Sequence, residues 1–265
     1  MKFVSPGSRV VLIGAGGGVG WWLWERLRDE FDVLCVDRQP LETARKHGEA
    51  RIVTRLPDPG QWIEADANDY ARIRAAVDDA VAVINLTVVR SSPEAAFPAN
   101  VGGAYEVCRA CADAGVRRLV HTGPWARCNG YEGDYRYAYD LDEGAPYAAG
   151  TPLYPHTKYL SSIIARAFAE SKGLETFTVW ISRIRPEDAY DGRDGDVFLP
   201  FSISWRDLAE LLRCALLAHP TGNPYEEFFA CAPTPQEKYS PRKAIEVLGW
   251  QPRDTFERFY TRRQA

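Results

Sequence analysis

Short apolar runs alternate along this chain with segments in which apolar residues recur every three or four positions. Apolar runs rich in β-branched residues predict buried strands, and the three-to-four spacing predicts helices between them. The predicted strands are "RVVLIG", "DVLCVD", "WIEAD", "VAVINLT", "VRRLVHT" and "LETFTVWIS". Because nearly continuous apolar strands alternate with helices, the pattern favours an α/β fold whose parallel sheet is doubly wound and covered on both faces.

The pattern changes near Arg183. The stretch "IRPEDAYDGRDGDVFLP" is polar and aperiodic, which predicts a long loop of the kind that often serves as a lid or binding loop. A helix "SWRDLAELLRCALLAH" follows, with Ser204 and Asp207 spaced as in a capping box, then a short strand "EEFFACA" and a last helix "SPRKAIEVLGW". We therefore expect a main domain over residues 1–182 and a small substrate-binding lobe over residues 183–265, interleaved as one structural unit.

Composition and charge exclude several classes of protein. The 265 residues carry a formal net charge of −4 and show no basic stripe, so nothing indicates a nucleic-acid partner. No apolar run approaches the roughly 20 residues that span a bilayer, and the first residues lack the apolar stretch of a signal peptide. We therefore expect a cytoplasmic protein without a membrane contact, whose six cysteines stay reduced. Cys108 and Cys111 form a CxxC within a helical pattern, which favours packing over a redox pair.

A glycine cluster, "GAGGGVG", stands between the first predicted strand and the first helix. In such a unit Gly14 makes the tight turn, Gly17 lets the backbone approach a pyrophosphate, and Gly20 lets helix and strand pack closely. Asp37 ends the second strand, where it would accept hydrogen bonds from a ribose hydroxyl and repel a 2′-phosphate. Arg38 weakens that preference without reversing it, so the sequence predicts NAD binding, with NADP less favoured. A tight turn without a ligand is the alternative.

A second motif, "YPHTK", opens the long predicted helix "LYPHTKYLSSIIARAFAESKG". Tyr154 and Lys158 are four residues apart, so both project from one face of a helix. A lysine ammonium there favours the tyrosinate and brings the tyrosine towards proton transfer. His156 lies off that face and is interpreted as a surface histidine. Nothing in the sequence suggests a metal site.

Taken in order, these motifs resemble the extended short-chain dehydrogenases/reductases of the NAD-dependent epimerase/dehydratase group. The resemblance runs from "VLIGAGGGVG" to "ALLAHP" and extends to the tail "AIEVLGWQPRDTFERF"; "SSPEAAFPANVGGAY" is most similar to uronate dehydrogenases. It implies a Rossmann fold in which residues 1–182 bind NAD and include the YxxxK helix. It also implies a homodimer formed through the helices "AYEVCRACADA" and "YPHTKYLSSIIARAF".

The resemblance implies a cofactor site along the carboxyl ends of the strands. In this family the acid of "EADAND", here Asp66, contacts adenine, and the end of "VINLTVV" lines the cofactor. The expected cofactor residues are Gly14, Gly17, Gly18, Val19, Gly20, Asp37, Arg38, Asp66, Ala67, Leu86, Thr87, Tyr154, Lys158 and Ile181.

One departure from the family concerns catalysis. The segment "HTGPWARCNG" has Gly123 and Pro124 where the family has two serines. In the family, the second of these serines hydrogen-bonds the reacting oxygen. Proline has no donor, and Thr122 is the nearest hydroxyl on this strand, so the expected catalytic residues are Tyr154, Lys158 and Thr122. Loss of such a donor typically costs about 100-fold or more in rate, which leaves a slow enzyme, a shifted site and lost activity open.

The expected substrate residues are Thr87, Trp125 and Arg193. Trp125 would stack on a sugar ring or form a wall of the pocket, and Arg183, Arg185 or Arg193 would clamp a carboxylate or remain solvated. Two functions follow. The first is an NAD-dependent oxidoreductase or epimerase acting on a hydroxyl of a sugar, sugar acid or sugar-derived small molecule. The second is a catalytically decayed NAD(P)-binding sensor or regulatory protein on the same fold.

Overall fold

A computed structural model describes residues 4–124, 138–148, 150, 153–186 and 201–256. Its main sheet has seven strands, and every pairing within it is parallel. In chain order these strands are β1 (Arg9–Ile13), β2 (Asp32–Asp37), β3 (Trp62–Glu64), β4 (Ala82–Asn85), β5 (Arg118–Pro124), β6 (Glu175–Ile181) and β9 (Tyr225–Ala230). Two short strands, β7 (Arg183–Arg185) and β8 (Ser202–Ser204), pair with each other. The predicted α/β fold is confirmed.

Helices cover both faces of the sheet. They are α1 (Gly18–Leu27), α2 (Leu41–Ala44), α3 (Tyr70–Ala76), α4 (Pro93–Ala96), α5 (Gly103–Ala114), α6 (Leu153–Lys172), α7 (Trp205–Leu217) and α8 (Arg242–Leu248). Apolar side chains of α1, α7 and α8 bury one face, and those of α3, α5 and α6 bury the other. Along β1, Val10 and Leu12 enter the first core while Val11 and Ile13 enter the second. Burial on both faces explains why the strands are continuous apolar runs.

The strand order places a crevice at the carboxyl ends of β1 and β4. The sheet runs β3-β2-β1-β4-β5-β6-β9, so the chain proceeds outwards from β1 in one direction and from β4 in the other. Connections leave this edge towards opposite faces, and ligands of doubly wound sheets bind in the gap between them. The fold therefore directs attention to the ends of β1, β2, β4 and β5.

The prediction of a loop after residue 182 is wrong for its first residues. Arg183–Arg185 form β7, which pairs with β8 in register, Ile184 facing Ile203. Three residues are too few to show a period, which is why the sequence pattern missed both strands. Residues 187–200 of the expected loop lie outside the described residues.

The C-terminal part shares the core of the main sheet. β9 pairs with β6, and α7 packs against α1. Ser204 accepts a hydrogen bond from the Asp207 amide at 3.1 Å, as in a capping box. The Asp207 carboxylate, however, accepts from the amides of Arg253 and Asp254 at 2.9 and 2.8 Å, so it ties the tail to α7. The division at residue 183 stays a prediction, and the two parts are interleaved wherever the structure describes them.

The CxxC cysteines are buried on α5. Burial raises the pKa of Cys108 to about 12 and holds the pKa of Cys111 well above its ordinary value, so both are uncharged thiols. No disulfide joins the described cysteines, which are Cys35, Cys108, Cys111, Cys214 and Cys231. The interpretation as packing residues is confirmed. Within the described ranges, no helix is both long enough and apolar enough to cross a bilayer.

Candidate active site

The first and third glycines of the loop between β1 and α1 are required by its geometry. Gly14 has a φ of +85°, in the left-handed region, and a Cβ atom there would lie 3.1 Å from the backbone of Leu86 and Thr87 beyond β4. A Cβ atom on Gly20 would lie 2.2 Å from the carbonyl oxygen of Ala15. The loop therefore turns tightly and lets the first turn of α1 press onto the chain that leaves β1.

The N-terminus of α1 is suited to an anion. Gly17 is its N-cap, and the nearest atom to a Cβ there would be 3.7 Å away, so the backbone is open. The first turn carries no acidic residue, and the helix dipole favours negative charge at this point. Gly18 has a different constraint, since its Cβ would lie 2.7 Å from Cη2 of Trp205. Val19 packs against the apolar core.

Asp37 connects β2 to the glycine loop. Its Oδ2 accepts from the Gly16 amide at 2.8 Å, and its Oδ1 accepts from the Gln39 amide at 2.9 Å. These bonds fix the carboxylate at the carboxyl end of β2, and each oxygen keeps a second lone pair for a ligand hydroxyl. The acid predicted from the sequence is therefore held in place before any ligand arrives.

A cleft of about 450 Å³, hereafter the switch-point cleft, lies at this edge of the sheet. It brings together many of the predicted cofactor residues, namely Gly14, Gly17, Asp37, Arg38, Asp66, Ala67, Leu86 and Thr87. The others, which are Gly18, Val19, Gly20, Tyr154, Lys158 and Ile181, are not among its lining residues. A backbone cradle at a helix N-terminus, a fixed carboxylate and apolar walls fit a dinucleotide such as NAD.

The predicted Tyr/Lys pair lies on the first two turns of α6. Lys158 is 3% exposed, and its Nζ donates to the carbonyl oxygen of Thr87 at 3.1 Å. Burial, and after it the positive charge of Arg90, lowers the pKa of Lys158 to about 7. Tyr154 is half-buried, and the guanidinium carbon of Arg90 lies 5.5 Å from its ring centroid. The structure thus places Lys158 against Thr87, which lines the switch-point cleft, and Tyr154 one helical turn before Lys158.

Asn100, which the sequence analysis missed, ties the segment after β4 to α6. Its amide accepts from the Val89 N–H at 2.8 Å and donates to the Val89 carbonyl oxygen at 2.9 Å. It also donates to Oγ1 of Thr157 at 2.9 Å, and Thr157 donates to the Tyr154 carbonyl oxygen at 2.8 Å. A polar residue on the buried side of a helical pattern is the sequence signal that points to it. Arg90, also missed, has no such signal.

A buried histidine supports the backbone of Lys158 from β5. His121 Nε2 lies 3.0 Å from Ser161 Oγ, and Ser161 donates to the Lys158 carbonyl oxygen at 2.6 Å. Because that hydroxyl proton is committed, Nε2 must donate, and Nδ1 accepts from Asn85 at 3.4 Å. Burial, followed by the charge of Lys158, holds the pKa of His121 well below its ordinary value. His121 is therefore a neutral structural group.

Gly123, near the end of β5, stands where the family has a serine, and the reason is steric. A Cβ atom on Gly123 would lie 2.7 Å from Cγ2 of Thr178 and 2.9 Å from Cδ1 of Trp180, so a serine does not fit there. Thr122 donates its only hydroxyl proton to the carbonyl oxygen of Asn85 at 2.9 Å. A role for Thr122 in catalysis requires that this bond be broken, and it stays a prediction.

The remaining predicted residues are the candidate substrate residues, the arginines of β7 and His156. Thr87 lines the switch-point cleft, and its buried hydroxyl has no hydrogen-bond partner among the described residues. Trp125 and Arg193 lie outside the described residues. Arg183 is exposed and Arg185 is buried, both on β7. His156 is only half-exposed and contacts the Tyr147 hydroxyl and the Gly150 carbonyl oxygen, so the interpretation as a surface histidine is incomplete.

Comparison with known proteins agrees with this geometry. The model of the NAD dependent epimerase/dehydratase family matches residues 10–198. The chain is 26% identical to an NAD-dependent glucose-6-phosphate dehydrogenase from Haloferax volcanii, over 94% of this chain and 95% of that protein. It is also 26% identical to a uronate dehydrogenase from Pseudomonas putida, over 96% of this chain and 87% of that protein.

Solved structures share the fold. The crystal structure of a glucuronic acid dehydrogenase from Chromohalobacter salexigens superposes with a TM-score of 0.75 at 21% identity, covering 100% of this chain and 90% of that one. Similarity at this level concerns the arrangement of strands and helices.

Proposed function

Since the chain belongs to the NAD-dependent epimerase/dehydratase family, we propose that it is an NAD-dependent oxidoreductase acting on a hydroxyl of a sugar or sugar acid. The observation that carries the proposal is the position of Tyr154 and Lys158 on α6, joined through Lys158 to the Thr87 carbonyl beside the switch-point cleft. The relatives named above are dehydrogenases of a sugar phosphate and of a sugar acid. They support an enzyme over a decayed sensor.

In this proposal the chain binds the cofactor through its backbone. The N-terminus of α1 at Gly17 receives the pyrophosphate, and Gly14 allows the close approach of β1 to β4. Asp37 accepts the ribose hydroxyls and disfavours a 2′-phosphate, so NAD is preferred to NADP. Asp66 and Ala67 line the same cleft and contact the adenine.

The reaction is a transfer of one proton and one hydride. Tyr154, as the phenolate, removes the proton from a substrate hydroxyl, and Lys158 holds the cofactor ribose and stabilises the phenolate. NAD, when bound, supplies the acceptor for the hydride that leaves the same carbon. The C–H and O–H bonds break, a carbonyl forms, and the proton remains on Tyr154 until solvent removes it. Thr122, the hydroxyl residue that precedes Gly123 and Pro124 on β5, takes the role of the family's serine in this proposal.

We also infer a homodimer formed through α5 and α6, in the cytoplasm. Leu153, Leu160 and Ile163 lie on one side of α6 and are each more than two-fifths exposed, as is Tyr105 on α5. Apolar side chains grouped on one surface are typical of a protein contact. The absence of a disulfide among the described cysteines is consistent with a reducing compartment.

The test is turnover by the purified protein and by Tyr154→Phe. NADH formation would be followed by absorbance with NAD and a panel containing D-glucuronate, D-galacturonate, D-glucose 6-phosphate and D-glucose. We expect turnover on one sugar class, its loss in Tyr154→Phe, and equal NAD affinity in both proteins by calorimetry. Wild-type turnover in Tyr154→Phe would refute the mechanism, and absence of NAD binding would refute the cofactor assignment.

A further inference from the structure

Arg90 stands beside Tyr154 and has no ionic partner among the described residues. Arg90 follows β4, its side chain is exposed, and its guanidinium carbon lies 5.5 Å from the ring centroid of Tyr154. No hydrogen bond or ion pair joins it to another residue in the part of the chain that the structure describes. Its charge is therefore available to a ligand that approaches Tyr154.

The backbone that carries Arg90 is fixed to the catalytic helix. Asn100 holds both the N–H and the carbonyl of Val89, the preceding residue, and Asn100 is itself bonded to Thr157 on α6. Lys158 holds the carbonyl of Thr87, three residues before Arg90. A guanidinium on a fixed segment loses less freedom on binding than one on a mobile loop.

Two basic side chains, Arg90 and Lys158, lie near Tyr154. Arg90 is close enough to Lys158 to contribute to the lowering of its pKa, which follows mainly from burial. The acids that line the switch-point cleft are Asp37, the last residue of β2, and Asp66, which follows β3; both strands lie on the opposite side of β1 from β4. Asp37 is further occupied by two backbone amides. The substrate end therefore attracts an anion, and the described acids of the cleft do not neutralise it.

We propose that Arg90 binds an anionic group of the substrate, a carboxylate or a phosphate carried by the sugar, and thereby selects anionic sugars over neutral ones. The guanidinium presents a planar pair of donors that matches two oxygens of either group. This inference rests on the proposed function and names the substrate class of the same site. Arg90 is a specificity residue, and proton transfer remains with Tyr154.

The first experiment compares Arg90→Gln and Arg90→Lys with the wild type on D-glucuronate, D-glucose 6-phosphate and D-glucose. In Arg90→Gln we expect KM for the anionic sugar to rise about 10- to 100-fold, since bonds to a charged group are lost. Turnover of D-glucose should change less than threefold, and Arg90→Lys should recover part of the anionic activity. The anionic sugar that the wild type prefers tells a carboxylate site from a phosphate site.

Arg51→Gln is the matched control. Arg51 is also exposed and also lacks a hydrogen-bonded or ionic partner among the described residues, but it lies in a 3-10 turn, Gly48–Ile52, away from the end of β4. Its replacement should leave every KM unchanged. An equal loss on D-glucose and on the anionic sugars in Arg90→Gln, or no loss on either, would overturn the proposal.

A second experiment separates this proposal from the proposed function. Calorimetric titration of D-glucuronate and of D-glucose 6-phosphate into the protein saturated with NADH measures binding without turnover. Binding that Arg90→Gln weakens and Arg51→Gln does not would support the anion site even if no sugar were oxidised. Oxidation of a sugar together with unchanged anion binding in Arg90→Gln would reject the anion site and leave the proposed function intact.

Discussion

The first turn of α1 has no room for a methyl group at Gly20. An alanine would place its Cβ 2.2 Å from the Ala15 carbonyl oxygen, which is backbone and cannot rotate away. We predict that Gly20→Ala lowers the free energy of unfolding by about 1–3 kcal/mol and weakens NAD binding, because the helix must move away from the loop. Denaturant unfolding and calorimetric titration of NAD would measure both effects.

Gly48→Ala is the control for that substitution. A Cβ atom there would have no heavy atom within 4 Å, and the backbone does not lie in the left-handed region. Its free energy of unfolding should change by less than about 0.5 kcal/mol. Equal effects of the two alanines would contradict the steric argument at Gly20.

The charge of Lys158 makes stability depend on pH. Burial lowers its pKa from 10.5 to about 7 in the folded protein, so the unfolded chain binds more protons between these values. Stability of the cofactor-free protein should therefore rise with pH across that window as the cost of burying the charge disappears. We predict that Lys158→Met melts several degrees higher than the wild type at pH 6, and that the difference shrinks towards pH 10.

Thermal unfolding of both proteins from pH 6 to pH 10 measures this difference. Arg51→Gln, which alters an exposed cation, should keep a melting temperature parallel to that of the wild type. A difference between Lys158→Met and the wild type that stays constant with pH would show that burial does not depress the lysine pKa.

Single residues could be predicted from the sequence where their role follows from local spacing. Gly14, Gly20 and Asp37 belong to one strand–turn–helix–strand unit, and each has the geometry expected of it. Arg90 could not be predicted, because its importance depends on a contact with Tyr154, which is distant in sequence. Trp205 was missed for the same reason, since only the folded chain shows that it fills the space beside Gly18.

At the scale of elements, one side chain joins the segment after β4 to the start of α6. Asn100→Ala leaves the N–H and carbonyl of Val89 without their partner and frees Thr157. We predict a loss of about 1–3 kcal/mol in the free energy of unfolding, because buried polar groups become unsatisfied. We also expect kcat to fall while the NAD affinity changes little, because the bonds lie at Tyr154 and not at the glycine loop.

A double-mutant cycle with Thr157→Val tests whether the two side chains act together. Asn100 and Thr157 are bonded directly, so their effects on stability should be coupled by about 0.5–3 kcal/mol. Additive effects in the cycle would indicate that Asn100 stabilises the protein through its bonds to Val89 alone. Asn223→Ala, at an exposed turn before β9, serves as the control and should leave kcat unchanged.

Long elements could be predicted from the sequence, whereas most short ones could not; the three-residue strand β3, within "WIEAD", is an exception. β1 and β2 are buried on both faces, so each contains an apolar run that ends at a polar or glycine residue. α2 and α4 have four residues each, too few to show a helical period. The turns of Phe97–Gly102, which precede α5, form a π-helix that contains a proline, and no periodic pattern announces such a segment.

At the scale of the whole molecule, the C-terminal part after residue 183 and the main sheet form one core. β9 completes the sheet beyond β6, and Asp207 on α7 holds the amides of Arg253 and Asp254 near the end of the chain. The change of pattern near Arg183 predicts a small lobe interleaved with the main domain as one unit, but the pattern does not show which sheet a later strand joins. Residues beyond Arg183 therefore contribute to the stability of the cofactor-binding half.

The proposed dimer would form through the outer surface of α5 and α6. Leu160 and Ile163 are 42% and 44% exposed, and a monomer would leave both in water together with Tyr105. We predict that the protein is a dimer in solution and that the double substitution Leu160→Glu, Ile163→Glu converts it to a monomer, since two carboxylates would be buried at the contact.

Val247→Glu, on α8 and 39% exposed, is the control and should remain dimeric. Sedimentation equilibrium gives the masses, and a monomeric wild type would remove the dimer. Every residue proposed for catalysis belongs to a single copy of the chain, so the monomeric variant should keep its turnover. Turnover that persists would show that the complete site lies within one chain.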